Sequence, residues 1–290
     1  MLPCNRLHVT GYISRYVVVG FRRSGSPKVS QVTIRDVAKR ANVSIATVSR
    51  VLNNSSAVRP ATRESVNRAI QELDYRPNLT ARMLSLGRSL SIGIVVPLLT
   101  LPSSIERLRG IQLVLADSEY EMLLVSAELP ERVDGSIENL LRRQVDGAII
   151  ISLRPADQHV PLFQQGGTPT VLIDAEHPQL DSVLVDDIDG GLKATNHLIE
   201  LGHHHIAFLS DYLVNPFDFV SMQRRFDGYR KALAGAGIDF RVDYHLQGKL
   251  GGREAYQKAI SLLELSDRPT AIFAASDTHA VGVLKAAHDL

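Results

Sequence analysis

Seven short apolar runs punctuate the last two hundred residues of the chain: "SIGIVVP" (91–97), "EMLLVSAE" (121–128), "DGAIIIS" (146–152), "PTVLIDA" (169–175), "SVLVDD" (182–187), "HIAFLSD" (205–211) and "TAIFAASD" (270–277). Each is the length of a strand and leads, through Pro, Ser, Asp or Gly, into a helical pattern. That alternation predicts parallel sheet covered by helices on both faces. Seven units are many for one compact layer, so the pattern points to two similar α/β lobes with a cleft between them over 91–290.

The front of the chain has a different rhythm. In "VTIRDVAKRANVSIATVSRVLN" (32–53), Thr33 and Asp36 have the spacing of a capping box, and Ile34, Val37 and Ala38 form an i, i+3, i+4 stripe. Asn42 suits the left-handed conformation of a tight inter-helix turn, Ser44 can cap a second helix, and Val48, Val51 and Leu52 repeat the stripe. A third helix is predicted from Pro60, with Val66, Ala69, Ile70 and Leu73 as its buried face, ending at "YRPN". Residues 1–30 show no sustained period and are expected to be a disordered extension.

Charge divides the chain in the same place. Residues 1–31 carry five Lys/Arg and no acid, and residues 32–90 carry ten against four, while 91–290 hold 17 basic and 27 acidic residues. A basic front on an acidic body suits a polyanion partner for the front alone, although a solvated basic face gives the same balance. On the second short helix the side opposite the apolar stripe carries Ala46, Ser49, Arg50 and Asn53. Small residues around one Arg can approach a groove floor, and Arg pairs bidentately with guanine O6 and N7. For Arg50 a phosphate contact is the open alternative; Thr47 and Ser49 suit phosphates. Two helices crossing at a short turn let one brace the backbone while the other enters the major groove.

Several classes find no support. The single cysteine, Cys4, excludes a disulfide framework and fits a reducing compartment. No apolar run approaches the roughly 20 residues of a membrane span, and "YVVVGF" (16–21) is too short for a signal-peptide core. These features lead to an expectation of a cytoplasmic protein with no membrane partner. No dinucleotide fingerprint, phosphate loop or nucleophile elbow is present, so neither an enzyme, catalytic residues nor a cofactor is expected. The "GHHH" run (202–205) invites a metal, but adjacent residues on an extended segment point to alternate sides, and no metal site is expected.

Residues 32–90 resemble the DNA-binding headpiece of the LacI/GalR family of bacterial transcriptional regulators, through "TIRDVAKRANVSIATVSRVLN", "TRESVNRAIQELDYRPN" and "ARMLSLGRS". "VLVDDIDGGLKATNHLIELGHHHIAFLS", "RRFDGYRKAL" and "PTAIFAASDTHAVGVLKA" resemble its effector-binding core. The resemblance implies an all-α helix-turn-helix headpiece (32–77), a hinge helix and linker (78–90), and a two-lobe, periplasmic-binding-protein-like α/β domain for effector binding and dimerisation (91–290). Relatives continue beyond the helix that closes here at "VLKAAHDL", so the last part of the second lobe is expected to be missing. Ile45, Ala46 and Arg50 then occupy base-reading positions, with Thr33, Ser44, Thr47, Ser49 and Asn53 completing the recognition set. Asn78, Ala81, Arg82 and Leu84 belong to the hinge helix, Leu84 as a wedge between central base pairs.

The implied partners are a near-palindromic double-stranded operator, a second copy of the chain in a homodimer, and a small-molecule effector, expected to be a carbohydrate. Strand ends and the resemblance together nominate Leu101, Ser103, Ser104, Asp187, Arg225 and Asp277 for the effector. Asp277 also suits a helix cap, and the family shows Asn where this chain has Asp187. The family's "NPFF" reads "LPSS" at 101–104, which argues against a flat purine. Phe217 and Phe219 are either substitutes for those aromatics or anchors of their own loop. The expected function is a sequence-specific DNA-binding regulator, a repressor, whose operator affinity the effector modulates. A transport-type solute-binding protein shares the two-lobe fold but has no use for residues 32–90.

Overall fold

The computed structural model describes residues 8–13, 16–20, 32–76, 83 and 87–290. The chain divides into two compact units, Met1–Ser85 and Leu86–Leu290.

In the first unit, where residues 1–30 were expected to lack structure, β1 (His8–Ile13) and β2 (Tyr16–Gly20) pair antiparallel, His8 opposite Gly20 and Ile13 opposite Tyr16. Short stretches rich in β-branched and aromatic residues favour extended backbone, a signal too brief to appear as a sustained period. Three helices follow: α1 (Ile34–Arg40), α2 (Ile45–Leu52) and α3 (Pro60–Glu72). The Asp36 carboxylate accepts from the Thr33 N–H (2.8 Å) and hydroxyl (2.7 Å), and these bonds hold its carboxyl below the usual range. Asn42 takes φ 54 in the turn, and Ser44 Oγ accepts from the Thr47 N–H at 3.1 Å. The core is Val37, Ala38, Ala41, Val48, Val51, Val58, Val66 and Ala69, with Ile34, Leu52, Ile70 and Leu73 packed against it. The predicted stripes on all three helices thus face one another.

The second unit holds two parallel sheets. In the first lobe β3 (Ser91–Pro97), β4 (Glu121–Ala127), β5 (Gly147–Ile151), β6 (Thr170–Ile173) and β7 (Asp181–Val183) lie in the order β4-β3-β5-β6-β7. Their connections carry α4 (Pro102–Leu115), α5 (Val133–Arg142) and α6 (Val160–Gln165). Side chains alternate across the sheet: Val95 and Ile150 join Ile137, Leu140, Phe163 and Leu172 on one face, and Ile94, Val96 and Ile151 meet Leu108 and Ile111 on the other. Where the chain enters, Asp146 accepts from the N–H groups of Ser89 (2.8 Å) and Leu90 (3.0 Å) and from the Ser89 hydroxyl (3.0 Å).

The second lobe is built from α7 (Asp187–Glu200), β8 (Ile206–Asp211), α8 (Ser221–Gly235), β9 (His245–Gly248), α9 (Gly252–Leu263), β10 (Ala271–Ala274) and α10 (Asp277–Asp289), with strand order β10-β8-β9. Phe208, Phe226, Tyr229 and Leu233 pack one face of this sheet and Tyr244 and Leu262 the other. Strand β9, "HLQG", has no apolar run and was not predicted; it is held by backbone pairing, Phe208 opposite His245. Helices α7 and α8 touch backbone to backbone. A Cβ on Gly228 would stand 2.1 Å from the Ile188 carbonyl oxygen, and one on Gly191 2.2 Å from that of Arg225. This contact sets Arg225 beside the first residue of α7.

Candidate functional site

Two features stand out, one in each unit. In the first, α2 buries Val48 and Val51 and turns Ile45, Ala46 and Arg50 outward, with Ser49 and Thr47 half-buried at its flanks. Ile45, 44% exposed, is a large apolar side chain that the headpiece core does not use. Asn53 is the exposed C-cap of the helix, and Thr33 and Ser44 are the exposed N-caps of α1 and α2. The Ser44 and Thr47 hydroxyls lie 2.9 Å apart. Arg63 is tied down, donating to the Ser55 carbonyl at 2.6 Å, and Arg40 pairs with Glu72. Among the described residues Arg50 has no carboxylate partner, so its N–H donors are open to an external acceptor. The hinge candidates Asn78, Ala81, Arg82 and Leu84 lie outside the described residues.

In the second unit a cavity of about 410 Å³ opens between the lobes, at the carboxyl ends of their strands. That is where open α/β sheets place ligands, because the connecting loops diverge there and helix N-termini point in. Leu98 after β3, Ser152 after β5 and Asp174 after β6 line it, with φ of 44, 54 and 54. Left-handed backbone costs an L-residue about 1–3 kcal/mol, and three neighbouring strand ends carry it at this one cavity. From the second lobe come Asp211, Gly248, Ser276, Asp277 and Arg225.

Several charged groups in this cleft are tethered. Arg225 donates from Nε to Asp187 Oδ1 (2.8 Å) and from Nη1 to the Ala275 carbonyl (2.6 Å). Arg107, on α4, pairs with Asp174. Burial, and then the charge of Arg225, pull the Arg107 guanidinium below its ordinary value, while Asp187 opposes them. His279 is buried behind the wall, its Nδ1 2.6 Å from Ser276 Oγ and its Nε2 3.0 Å from Asp211 Oδ1.

The structure sorts the predicted effector residues. Leu101, Ser103, Ser104, Arg225 and Asp277 all line the cavity. Ser104 is buried and its hydroxyl donates to the Pro97 carbonyl at 3.3 Å. Asp187 is buried and is not among the lining residues; it holds Arg225 in place from behind. The cap of α10 is Ser276, so Asp277 is that helix's first residue and faces the cleft. The cavity lining and the first lobe's core both include Phe217 and Phe219, which stack at 5.1 Å and 4°. Asn215 shapes their loop, accepting from the N–H groups of Phe217 (3.0 Å) and Phe219 (3.1 Å). Arg107, Asp174, Asp211 and Ser276 were missed by sequence reasoning; each stands alone in its local pattern. The "GHHH" side chains diverge: His203 meets Thr270 at 3.0 Å and His205 meets Asp267 at 3.2 Å. Among the described residues no group of three potential ligands converges, and no helix is long and apolar enough to cross a membrane.

Two family models match this chain. "Bacterial regulatory proteins, lacI family" matches residues 33–78, and "Periplasmic binding proteins and sugar binding domain of LacI family" matches residues 89–289. Catabolite control protein A of Priestia megaterium is 35% identical, over 89% of this chain and 78% of its own length. The lac repressor dimer bound to operator and the anti-inducer ONPF is similar in structure, with TM-score 0.78 and 29% identity over 90% of this chain and 78% of that one. The transcriptional regulator CelR in complex with cellobiose gives TM-score 0.58 and 31% identity, over 89% and 78% of the two chains.

Proposed function

The chain belongs to the lacI family of bacterial regulatory proteins, and on that premise we propose that it is a sequence-specific DNA-binding transcriptional repressor governed by a small molecule in the interlobe cleft. The observation that carries the DNA reading is the division of α2. Its apolar stripe is sunk in the headpiece core, while its outer face offers Ile45, Ala46 and an Arg50 with no carboxylate partner among the described residues. Arg50 and its neighbours read base edges in the major groove; Thr33, Ser44, Thr47, Ser49 and Asn53 settle the register on phosphates.

Two copies related by a two-fold axis ask for matched half-sites, hence a near-palindromic operator. In this reading residues 78–90 serve as hinge and linker, with Leu84 as the wedge in the minor groove. The effector is a carbohydrate: carboxylates and an arginine at one end of the cleft suit adjacent hydroxyls, and the stacked phenylalanines suit a sugar's apolar face. The ligand acts by favouring one lobe geometry over the other. The protein works in the cytoplasm, as a regulator and not as an enzyme.

Selection of bound sequences from a random duplex pool, repeated with a panel of sugars, tests this. The expected result is a near-palindromic consensus, binding that weakens steeply with salt, and one sugar class that changes the bound fraction. Binding that ignores sequence and salt overturns it.

A further inference from the structure

The loop between β8 and α8 belongs to the second lobe but packs on the first. Its root is fixed in its own lobe. The Tyr212 N–H donates to the Gly248 carbonyl at 3.1 Å, the Leu213 N–H donates to Gln247 Oε1 at 3.0 Å, and the Leu213 side chain joins the core around Phe208. From there burial alternates: Leu213, Asn215, Phe217 and Phe219 are half-buried, while Val214, Pro216, Asp218 and Val220 are exposed. Asn215 builds the tip. Its Oδ1 accepts from the N–H groups of Phe217 and Phe219, and its Nδ2 donates to the Phe219 carbonyl at 3.0 Å. Asp218, between the two rings, takes φ 56, a conformation that its short polar side chain tolerates. The turn presents the stacked rings together to a hydrophobic core whose other members all lie between Val95 and Leu180, in the first lobe. A second contact crosses in the same direction: Arg224, near the start of α8, donates to Glu176 beyond β6 at 3.2 Å.

We propose that residues 212–220 are an interlobe latch, which holds the two lobes together through Phe217 and Phe219 whether or not a ligand is bound. Parting the lobes strips both rings of apolar cover, so their burial favours the closed geometry alone. The latch thereby biases lobe geometry by differential contacts, as a ligand does. The loop must also lift before the cleft can exchange its contents. The proposal requires nothing of what the cleft takes; it concerns only how firmly the chain itself keeps the cleft shut.

The test is thiol labelling of the full chain, with its single cysteine removed by Cys4→Ser. Ala175→Cys places one thiol at a buried position between Asp174 on the cavity wall and Glu176 in the interlobe pair. Ala148→Cys places another at a buried position near the amino end of β5, remote from the cleft. Each labelling rate follows the fraction of time that its site is open. Phe217→Ser combined with Phe219→Ser should speed labelling at position 175 about tenfold or more, as loss of two half-buried aromatic side chains allows, and leave position 148 unchanged. Val214→Ser, in the same loop but 89% exposed, should alter neither rate. An unchanged rate at position 175 overturns the latch. Equal acceleration at both positions, or the same acceleration by Val214→Ser, also overturns it, because the phenylalanines would then serve only the first lobe's packing or the loop's general order. If the double variant fails to melt cooperatively, Asn215→Ala, which unpins the turn and keeps both rings, decides by the same two rates.

Discussion

Gly228→Ala is the sharpest perturbation of the second lobe. The added methyl group would sit 2.1 Å from the Ile188 carbonyl oxygen and 2.7 Å from the Leu192 nitrogen. Ordinary contact starts near 3.4 Å, so α7 must retreat by about 1.3 Å, and the obstacle is helix backbone that cannot rotate away. Overpacking of this kind costs about 1–3 kcal/mol, and a backbone obstacle places it near 3. For a unit of this size each kcal/mol moves Tm by about 2–4 °C, so a loss of roughly 6–12 °C is expected. Effector affinity should fall as well, because the same contact seats Arg225 against Asp187. Gly235→Ala is the control: it lies on the same helix with nothing within 4 Å of the new Cβ, and it should raise stability by about 0.5 kcal/mol. Thermal melting of both variants by circular dichroism reads the difference. A Gly228→Ala protein that melts with Gly235→Ala refutes the close-approach argument.

Three further outcomes are expected. Ser44→Ala removes the hydroxyl that caps α2 and should cost the headpiece about 1 kcal/mol, seen as faster hydrogen exchange at the Val48 and Val51 amides; unchanged exchange removes the cap from the account. Arg50→Ala should weaken specific operator binding by about 1–3 kcal/mol with an unchanged melting curve, since the side chain is exposed; equal loss on every sequence would assign Arg50 to phosphate. Burial opposes ionisation of Asp146, but bonds from Ser89 and Leu90 outweigh it and hold the carboxyl below its ordinary value. Its stabilisation is therefore complete above that ordinary value and disappears as pH falls through the lower, folded one. Asp146→Asn should lose about 2 kcal/mol at neutral pH and show a flatter acid limb in urea unfolding; parallel acid limbs would exclude Asp146 as the titrating group.

Local pattern determined a great deal of this protein. The stripes Ile34, Val37, Ala38 and Val48, Val51, Leu52 became one core, because a helix two turns long can bury only what recurs at its own period. Five of the seven apolar runs became strands over most of their length, "TAIFAASD" over half of its own, and "SVLVDD" only at Ser182 and Val183, the end of the strand Asp181–Val183. Five of six effector candidates line the cleft: Leu101, Ser103, Ser104 and Asp277 follow strand ends, legible wherever an apolar run stops at Pro, Ser or Asp, whereas Arg225, inside a helix, was indicated by the family resemblance alone. Tertiary structure alone decided the rest. Strand β9 exists because β8 offers it a backbone edge, which composition does not record. Asp187 and Arg225 are 38 residues apart and meet only through the contact of α7 with α8. Arg107 and Asp174, and likewise Asp211 and His279, are brought together by the order of strands in their sheets. Periodicity reports which side of an element is buried, whereas a cleft is made of isolated polar residues whose meeting depends on how distant elements pack.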